Sequence, residues 1–163
     1  MLQTALCYRD GLYGLPVDQA KCIELLRESA DLGCPPAQYQ LGAFYYTGNM
    51  GLEQNEEEEL KYYKKAAEGG YLKAVHNVGC MAYEKVGPVA AICHWRLSAS
   101  GGYKKSMGSL IEYSFEVGLL KHGDIADTYQ AMYFARAEMK SEDRDQYINH
   151  LKMVGKYKEE YNA

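Results

Sequence analysis

The sequence has no apolar run of the length that a membrane helix needs, and it has no excess of basic residues. A helix crosses a bilayer with about 20 apolar residues, so insertion into a membrane is not expected. The formal net charge is −4, and the longest basic runs are the pairs Lys64-Lys65 and Lys104-Lys105. Because nucleic-acid-binding proteins present basic stripes to the phosphates, nucleic acid is not expected as a partner either.

Cysteines with the spacing of zinc ligands are also absent. The five cysteines are odd in number and none forms a CxxC pair: Cys7, Cys22, Cys34, Cys80 and Cys93. Structural zinc sites place two ligands about two to four residues apart, so we interpret these residues as thiols of a reducing compartment. No basic stretch followed by a long apolar core marks the N-terminal segment, and the predicted location is therefore cytoplasmic.

Motifs that carry catalytic chemistry are missing as well. No glycine-rich loop lies between a strand and a helix, and the four histidines are scattered without HxxxH spacing. His76 and Cys80 alone pair a histidine with a cysteine four residues apart; a redox-sensitive or weak metal-binding position there is the less favoured interpretation. We therefore expect no enzyme activity and no cofactor or metal.

The sequence does contain an internal repeat. Its 163 residues suffice for one domain with a buried core. Residues 1–37 align with 38–74, and the third copy is about five residues shorter in its connecting loop. Pairs at a spacing of 37 residues include Gly11 and Gly48, Leu15 and Leu52, Ala30 and Ala67, Gly33 and Gly70. We predict copies at about 1–37, 38–74, 75–106 and 107–140, followed by a tail at 141–163.

Each copy has the pattern of two helices. The first helices are predicted at 38–47, 75–84 and 107–118 in the later copies, and the second begin at the polar caps Asp18 and Asn55. Glycines at 33, 70 and 102 end the second helices. Large residues share one face at Leu41, Phe44 and Tyr45, while Gly42 permits close helix contact. This predicts an all-α solenoid of about four helix-turn-helix repeats with a capping helix at 143–160.

The shared residues resemble the Sel-1-like repeat, a relative of the tetratricopeptide repeat. The residues that carry the resemblance are Ala37, Tyr39, Leu41, Gly42, Tyr45, Gly48, Gly51, Leu52, Tyr62, Tyr63, Ala66, Ala67, Gly70 and Ala74. The resemblance covers about residues 1–140, with Ile111 replacing a packing glycine in copy four. It implies an adaptor whose concave face binds another protein. The tail, with Arg136, Glu138, Met139, Lys140, Ser141 and Arg144, resembles the ending of repeat proteins from diatoms and related algae.

Three rows of residues on the first helices are candidates for that concave face. The polar row is Gln3, Gln40, Asn77 and Ser109; the middle row is Leu6, Ala43, Cys80 and Glu112; the acidic row is Asp10, Thr47, Glu84 and Glu116. Amide side chains could bind an extended peptide backbone, and the acidic row would favour a basic protein or peptide. The alternatives are that the rows are only solvated helix positions, and that the chain is a spacer or a homo-oligomerising segment.

Overall fold

The computed structural model describes residues 1–118 and 122–135, which form eight helices. These are α1 Leu2–Asp10, α2 Gln19–Asp31, α3 Pro35–Thr47, α4 Glu56–Glu68, α5 Leu72–Val86, α6 Pro88–Ser100, α7 Lys104–Val117 and α8 His122–Ala135. The predicted all-helical fold is confirmed for this part of the chain. The capping helix predicted at 143–160, and the tail with the algal resemblance, lie outside the described residues.

The helices belong to two compact units, Met1–Met81 and Ala82–Ala163, and the boundary falls within α5. In the first unit α2 packs on α1 and α3, and α3 packs on α4. In the second unit α6 packs on α7 and on α8. In the first unit these helices therefore contact their neighbours in the chain, as expected for a repeat protein, whereas α8 packs more on α6 than on its neighbour α7.

The second helices begin at the predicted caps. The Asp18 carboxylate accepts a hydrogen bond from the Lys21 amide at 2.8 Å, and the Asn55 side-chain oxygen accepts from the amides of Glu57 and Glu58 at 3.1 and 3.0 Å. These bonds satisfy backbone donors that have no partner inside the helix. Both cap predictions are confirmed.

The second helices end at the predicted glycines, but the first helices begin earlier than predicted. Gly33 and Gly70 adopt φ values of 81° and 79°, which a residue with a side chain rarely adopts. The next helix follows at once, at Pro35 and Leu72, three residues before the predicted starts at 38 and 75. The prediction was wrong because the repeated alanines, including Ala74, are buried within the first helical turn rather than in the connection.

The core of the first unit includes a close contact between α3 and α4. A Cβ atom at Gly42 would come within 2.7 Å of the Tyr63 ring, so glycine is required there. Tyr63 is only 3% exposed and its ring centre lies 5.5 Å from that of Tyr39. In the second unit Trp95 takes the equivalent place, 1% exposed and beside the ring of Tyr113. The second helices of these two copies therefore bury an aromatic residue at the same position.

Candidate functional site

The polar row is only partly available for binding. In the first unit Gln3 is exposed and Gln40 is half-buried, and neither side chain hydrogen-bonds to a residue that the structure describes. The Asn77 side chain is hydrogen-bonded to Tyr63. In the second unit the Ser109 hydroxyl donates to the Lys105 carbonyl at 3.3 Å. Two of the four side chains are therefore already used within the fold.

The middle row is mostly half-buried. Ala43 and Cys80 are partly covered, and the Cys80 sulfur lies 3.6 Å from Nε2 of the buried His76. Glu112, in the second unit, is exposed. The described parts of the chain contain no cluster of three His, Cys, Asp or Glu side chains that could hold a metal ion. The His76–Cys80 pair is thus a contact within one helix, close to the packed face of α5.

The acidic row offers less unpaired negative charge than the sequence suggests. Asp10 is exposed, but its two carboxylate oxygens each accept a bond from Arg9 at 2.7 Å, and this pairing lowers the pKa of Asp10. The Thr47 hydroxyl donates to the Ala43 carbonyl at 3.0 Å. Glu84 is exposed and makes no ion pair with a described residue. Glu116 lies in α7, but its side chain falls outside the described residues.

Tyr46, Tyr71 and Tyr113 differ in exposure. Tyr46 is 63% exposed. Tyr71 is half-buried; its ring centre lies 5.1 Å from that of Tyr39 on the preceding first helix, and it packs on the core cluster that includes Val78 of α5. Tyr113 is half-buried between Tyr83 and Trp95. Of these tyrosines, Tyr46 is the one with a ring available to a partner.

A cleft in the first unit was not predicted. It has a volume of about 620 Å³ and lies between α2 and the loop that follows α3. Ile23 and Met50 supply apolar surface, and Glu24 and Arg27 supply charge. Met50 is buried and adopts a positive φ of 58°, a backbone conformation that is not expected for methionine. No sequence pattern could therefore have indicated this cleft.

Comparison with known proteins identifies the repeat. Residues 1–34 and 35–71 match the Sel1 repeat family. Residues 1–71 thus carry two Sel1 repeats. A crystal structure of a Sel1 repeat protein from Oxalobacter formigenes superposes with a TM-score of 0.70 at 20% identity, over 94% of this chain and 60% of that one. This similarity confirms the predicted fold class, an α-solenoid of helix-turn-helix repeats.

Two curated relatives come from Schizosaccharomyces pombe. Chitin synthase regulatory factor 2 is 28% identical over 100 residues, which are 58% of this chain and 19% of that protein. Chitin synthase regulatory factor 3 is 32% identical over 111 residues, which are 65% of this chain and 12% of that protein. The chain thus matches less than a fifth of the length of each relative.

Sel1 repeats generally mediate contacts between proteins, and the family is a non-catalytic scaffold family. Among the helices of the described residues, none has the length and apolar character needed to cross a bilayer. Protein is therefore the class of partner to which the repeats point.

Proposed function

We propose that this chain is a protein-interaction scaffold that binds a peptide or protein segment along its first helices. The observation that carries the proposal is the pair of Sel1 repeats at residues 1–34 and 35–71. The proposed binding residues are those of the three rows apart from Leu6: Gln3, Asp10, Gln40, Ala43, Thr47, Asn77, Cys80, Glu84, Ser109, Glu112 and Glu116. We call them the first-helix surface.

Within the first unit, the side chains of this surface that have no described partner support binding of backbone groups. The amides of Gln3 and Gln40 each offer a donor and an acceptor without a described partner. Thr47 is exposed near the end of α3, and the neighbouring Tyr46 adds an accessible aromatic ring. Tyrosines of this kind often anchor protein interfaces.

Within the second unit, the surface favours a basic ligand. Glu84 and Glu112 are exposed carboxylates that make no ion pair with a described residue. A lysine or arginine of a bound segment could form an ion pair with either carboxylate. In the first unit Asp10 attracts a basic ligand less strongly, because it already forms an ion pair with Arg9. The preference for a basic segment therefore rests on Glu84 and Glu112.

The names of the curated relatives describe regulation of another protein, chitin synthase. For this chain we propose only the general part of that role, a contact with another protein that brings it into a complex. The absence of catalysis, of a nucleic-acid partner and of a cofactor belongs to the same proposal, as does a cytoplasmic location.

Site-specific photo-crosslinking tests the proposal. A photoreactive phenylalanine analogue replaces Thr47 in one variant and Glu112 in another, and cross-linked proteins from source cells are identified by mass spectrometry. The controls carry the analogue at Glu28 and Glu57, which are exposed on second helices. We expect one shared protein at Thr47 and Glu112 that is absent at the controls.

A charge-reversal variant then tests the ligand preference. Glu84→Lys with Glu112→Lys should weaken capture of that protein, whereas Glu28→Lys with Glu57→Lys should not, and circular dichroism should show equal helix content in both. If the same proteins cross-link at all four positions, the first-helix surface has no special role. If no protein cross-links anywhere, the spacer alternative replaces the proposal.

A further inference from the structure

A second surface, on α6, presents apolar side chains to solvent. Val89 is 70% exposed and Leu97 is 63% exposed, and Cys93 between them is also exposed. Residues four positions apart lie on the same side of a helix, so these three side chains form one stripe. The opposite side of α6 buries Ala91 and Trp95 in the core of the second unit. We call Val89, Cys93 and Leu97 the α6 stripe.

The chain itself provides the comparison that makes this stripe unusual. The segments 66–74 and 98–106 align at a spacing of 32 residues, so the stripe positions correspond to Glu57, Lys61 and Lys65 on α4. Those three residues are exposed and charged, as a solvated helix face normally is. Copy three has replaced all three charges with apolar or weakly polar side chains. Single exposed apolar residues are ordinary, but a contiguous apolar patch is typical of an interaction site.

The helix that carries the stripe has a positive charge and no negative one. The helix α6 contains no aspartate or glutamate. Arg96 is exposed beside the stripe and makes no ion pair with a described residue. An exposed cation beside an apolar stripe, on a helix without carboxylates, favours a ligand whose apolar side is bordered by carboxylates.

We propose that the α6 stripe binds the apolar side of an amphipathic, carboxylate-bearing helix of a partner protein. The three stripe residues span eight positions, about 12 Å of helix axis, which matches two turns of a ligand helix. Helices that dock in this way are held by apolar anchors spaced three or four residues apart. The site is separate from the first-helix surface, because it lies on a second helix.

A second copy of this chain is the less favourable occupant. Two α6 helices packed face to face would bring the Arg96 cations of both copies to one interface, without an acidic residue on either helix to offset them. One stripe of three side chains is also smaller than the roughly 800 Å² that each partner of a stable dimer usually buries.

Calorimetric titration with two synthetic peptides tests the proposal. Both peptides have about 18 residues, or about five helical turns, and the same leucine stripe; one is bordered by glutamates and the other by lysines. We expect the glutamate peptide to bind at least about tenfold more tightly than the lysine peptide, with a difference that shrinks at high salt. Arg96→Glu should reduce or reverse this preference.

The matched variant copies the pattern of α4 onto α6: Val89→Glu, Cys93→Lys and Leu97→Lys. It should retain its helix content and lose binding of the glutamate peptide. The control Leu32→Lys removes an exposed apolar side chain on another helix end and should bind as the native chain does. The variant Glu84→Lys with Glu112→Lys should also bind the peptide, which separates this site from the first-helix surface.

Four results would overturn the proposal. The two peptides could bind equally well, or the α4-pattern variant could bind the glutamate peptide as tightly as the native chain. Sedimentation could reveal a native dimer that the α4-pattern variant loses, and a second copy would then be the occupant. Co-sedimentation with phosphatidylserine vesicles that depends on the stripe, without peptide binding, would assign the surface to lipid.

Discussion

Replacing Gly42 with alanine tests the helix contact on which the first unit depends. The added Cβ would lie 2.7 Å from Cδ1 and 2.8 Å from Cε1 of Tyr63, whereas carbon atoms normally approach to about 3.5–4.0 Å. The Tyr63 ring has little freedom to retreat, since it is buried against Tyr39 and hydrogen-bonded to Asn77. The helices α3 and α4 must therefore separate, or the ring must leave its position.

The expected size follows from two opposing effects. Overpacking a buried contact costs about 1–3 kcal/mol, and two ring atoms inside 3.0 Å place this contact at the upper end. Alanine in place of glycine within a helix contributes about 1 kcal/mol in the other direction. We expect Gly42→Ala to lower the free energy of unfolding by about 2 kcal/mol, measured by urea denaturation followed by circular dichroism.

The chain offers a matched control in Gly108, which is exposed on α7. No atom lies within 4 Å of the position that its Cβ would take, so Gly108→Ala should stabilise the protein by about 1 kcal/mol. In a Tyr63→Leu background, Gly42→Ala should lose most of its cost because the ring is gone. If Gly42→Ala stabilises the chain as Gly108→Ala does, the close contact between α3 and α4 does not limit packing and the reasoning fails.

Three further predictions concern the cap of α4, the ionisation of a buried tyrosine and thiol reactivity. Asn55→Ala removes both cap hydrogen bonds and should cost about 1 kcal/mol in urea denaturation, while Glu53→Ala at an exposed neighbouring position should cost almost nothing. Burial raises the pKa of Tyr63 above its usual value near 10, so the unfolded chain loses this proton more readily. Stability should therefore be intact below about pH 10 and fall as the pH rises further. The urea midpoint of Tyr63→Phe should fall less steeply above about pH 10 than that of the native chain, and equal slopes would contradict this. Burial also raises the pKa of the Cys22 thiol, while Cys93 is exposed. A thiol-specific chromogenic reagent should therefore modify Cys93 first. If the fast phase of this reaction persists in Cys93→Ser, another cysteine is the most reactive one.

Local backbone features could be predicted because they depend on residues close in sequence. The caps at Asp18 and Asn55 need only a side-chain oxygen ahead of free backbone amides. The stops at Gly33 and Gly70 need only a residue that accepts positive φ. The repeat spacing also indicated Gly42 as a position of close helix contact, since two helices that pack closely need a small residue there. Helix starts were less predictable, because Ala37 suits either a connection or a first turn.

The candidate site was less predictable, because the availability of a side chain depends on its neighbours in space. The spacing correctly placed Asp10 and Thr47 on exposed helix positions, but it could not indicate that Arg9 pairs with Asp10 or that Thr47 bonds to its own helix. Asn77 looked like a free amide, and only the packing of α4 against α5 brings Tyr63 to it. The rows remain a prediction whose members differ in how much they can offer a ligand.

The sequence by itself determined the repeat, the division of each copy into two helices, and the caps and glycines that begin and end the second helices, because periodicity and capping act over a few residues. Tertiary structure alone decided which apolar side chains are covered. Val89 and Leu97 on α6 have the same character as core residues, yet they remain exposed because the adjoining helices pack on the opposite side of α6. Apolar character creates a tendency to be buried, and only the arrangement of neighbouring helices decides where that tendency is satisfied.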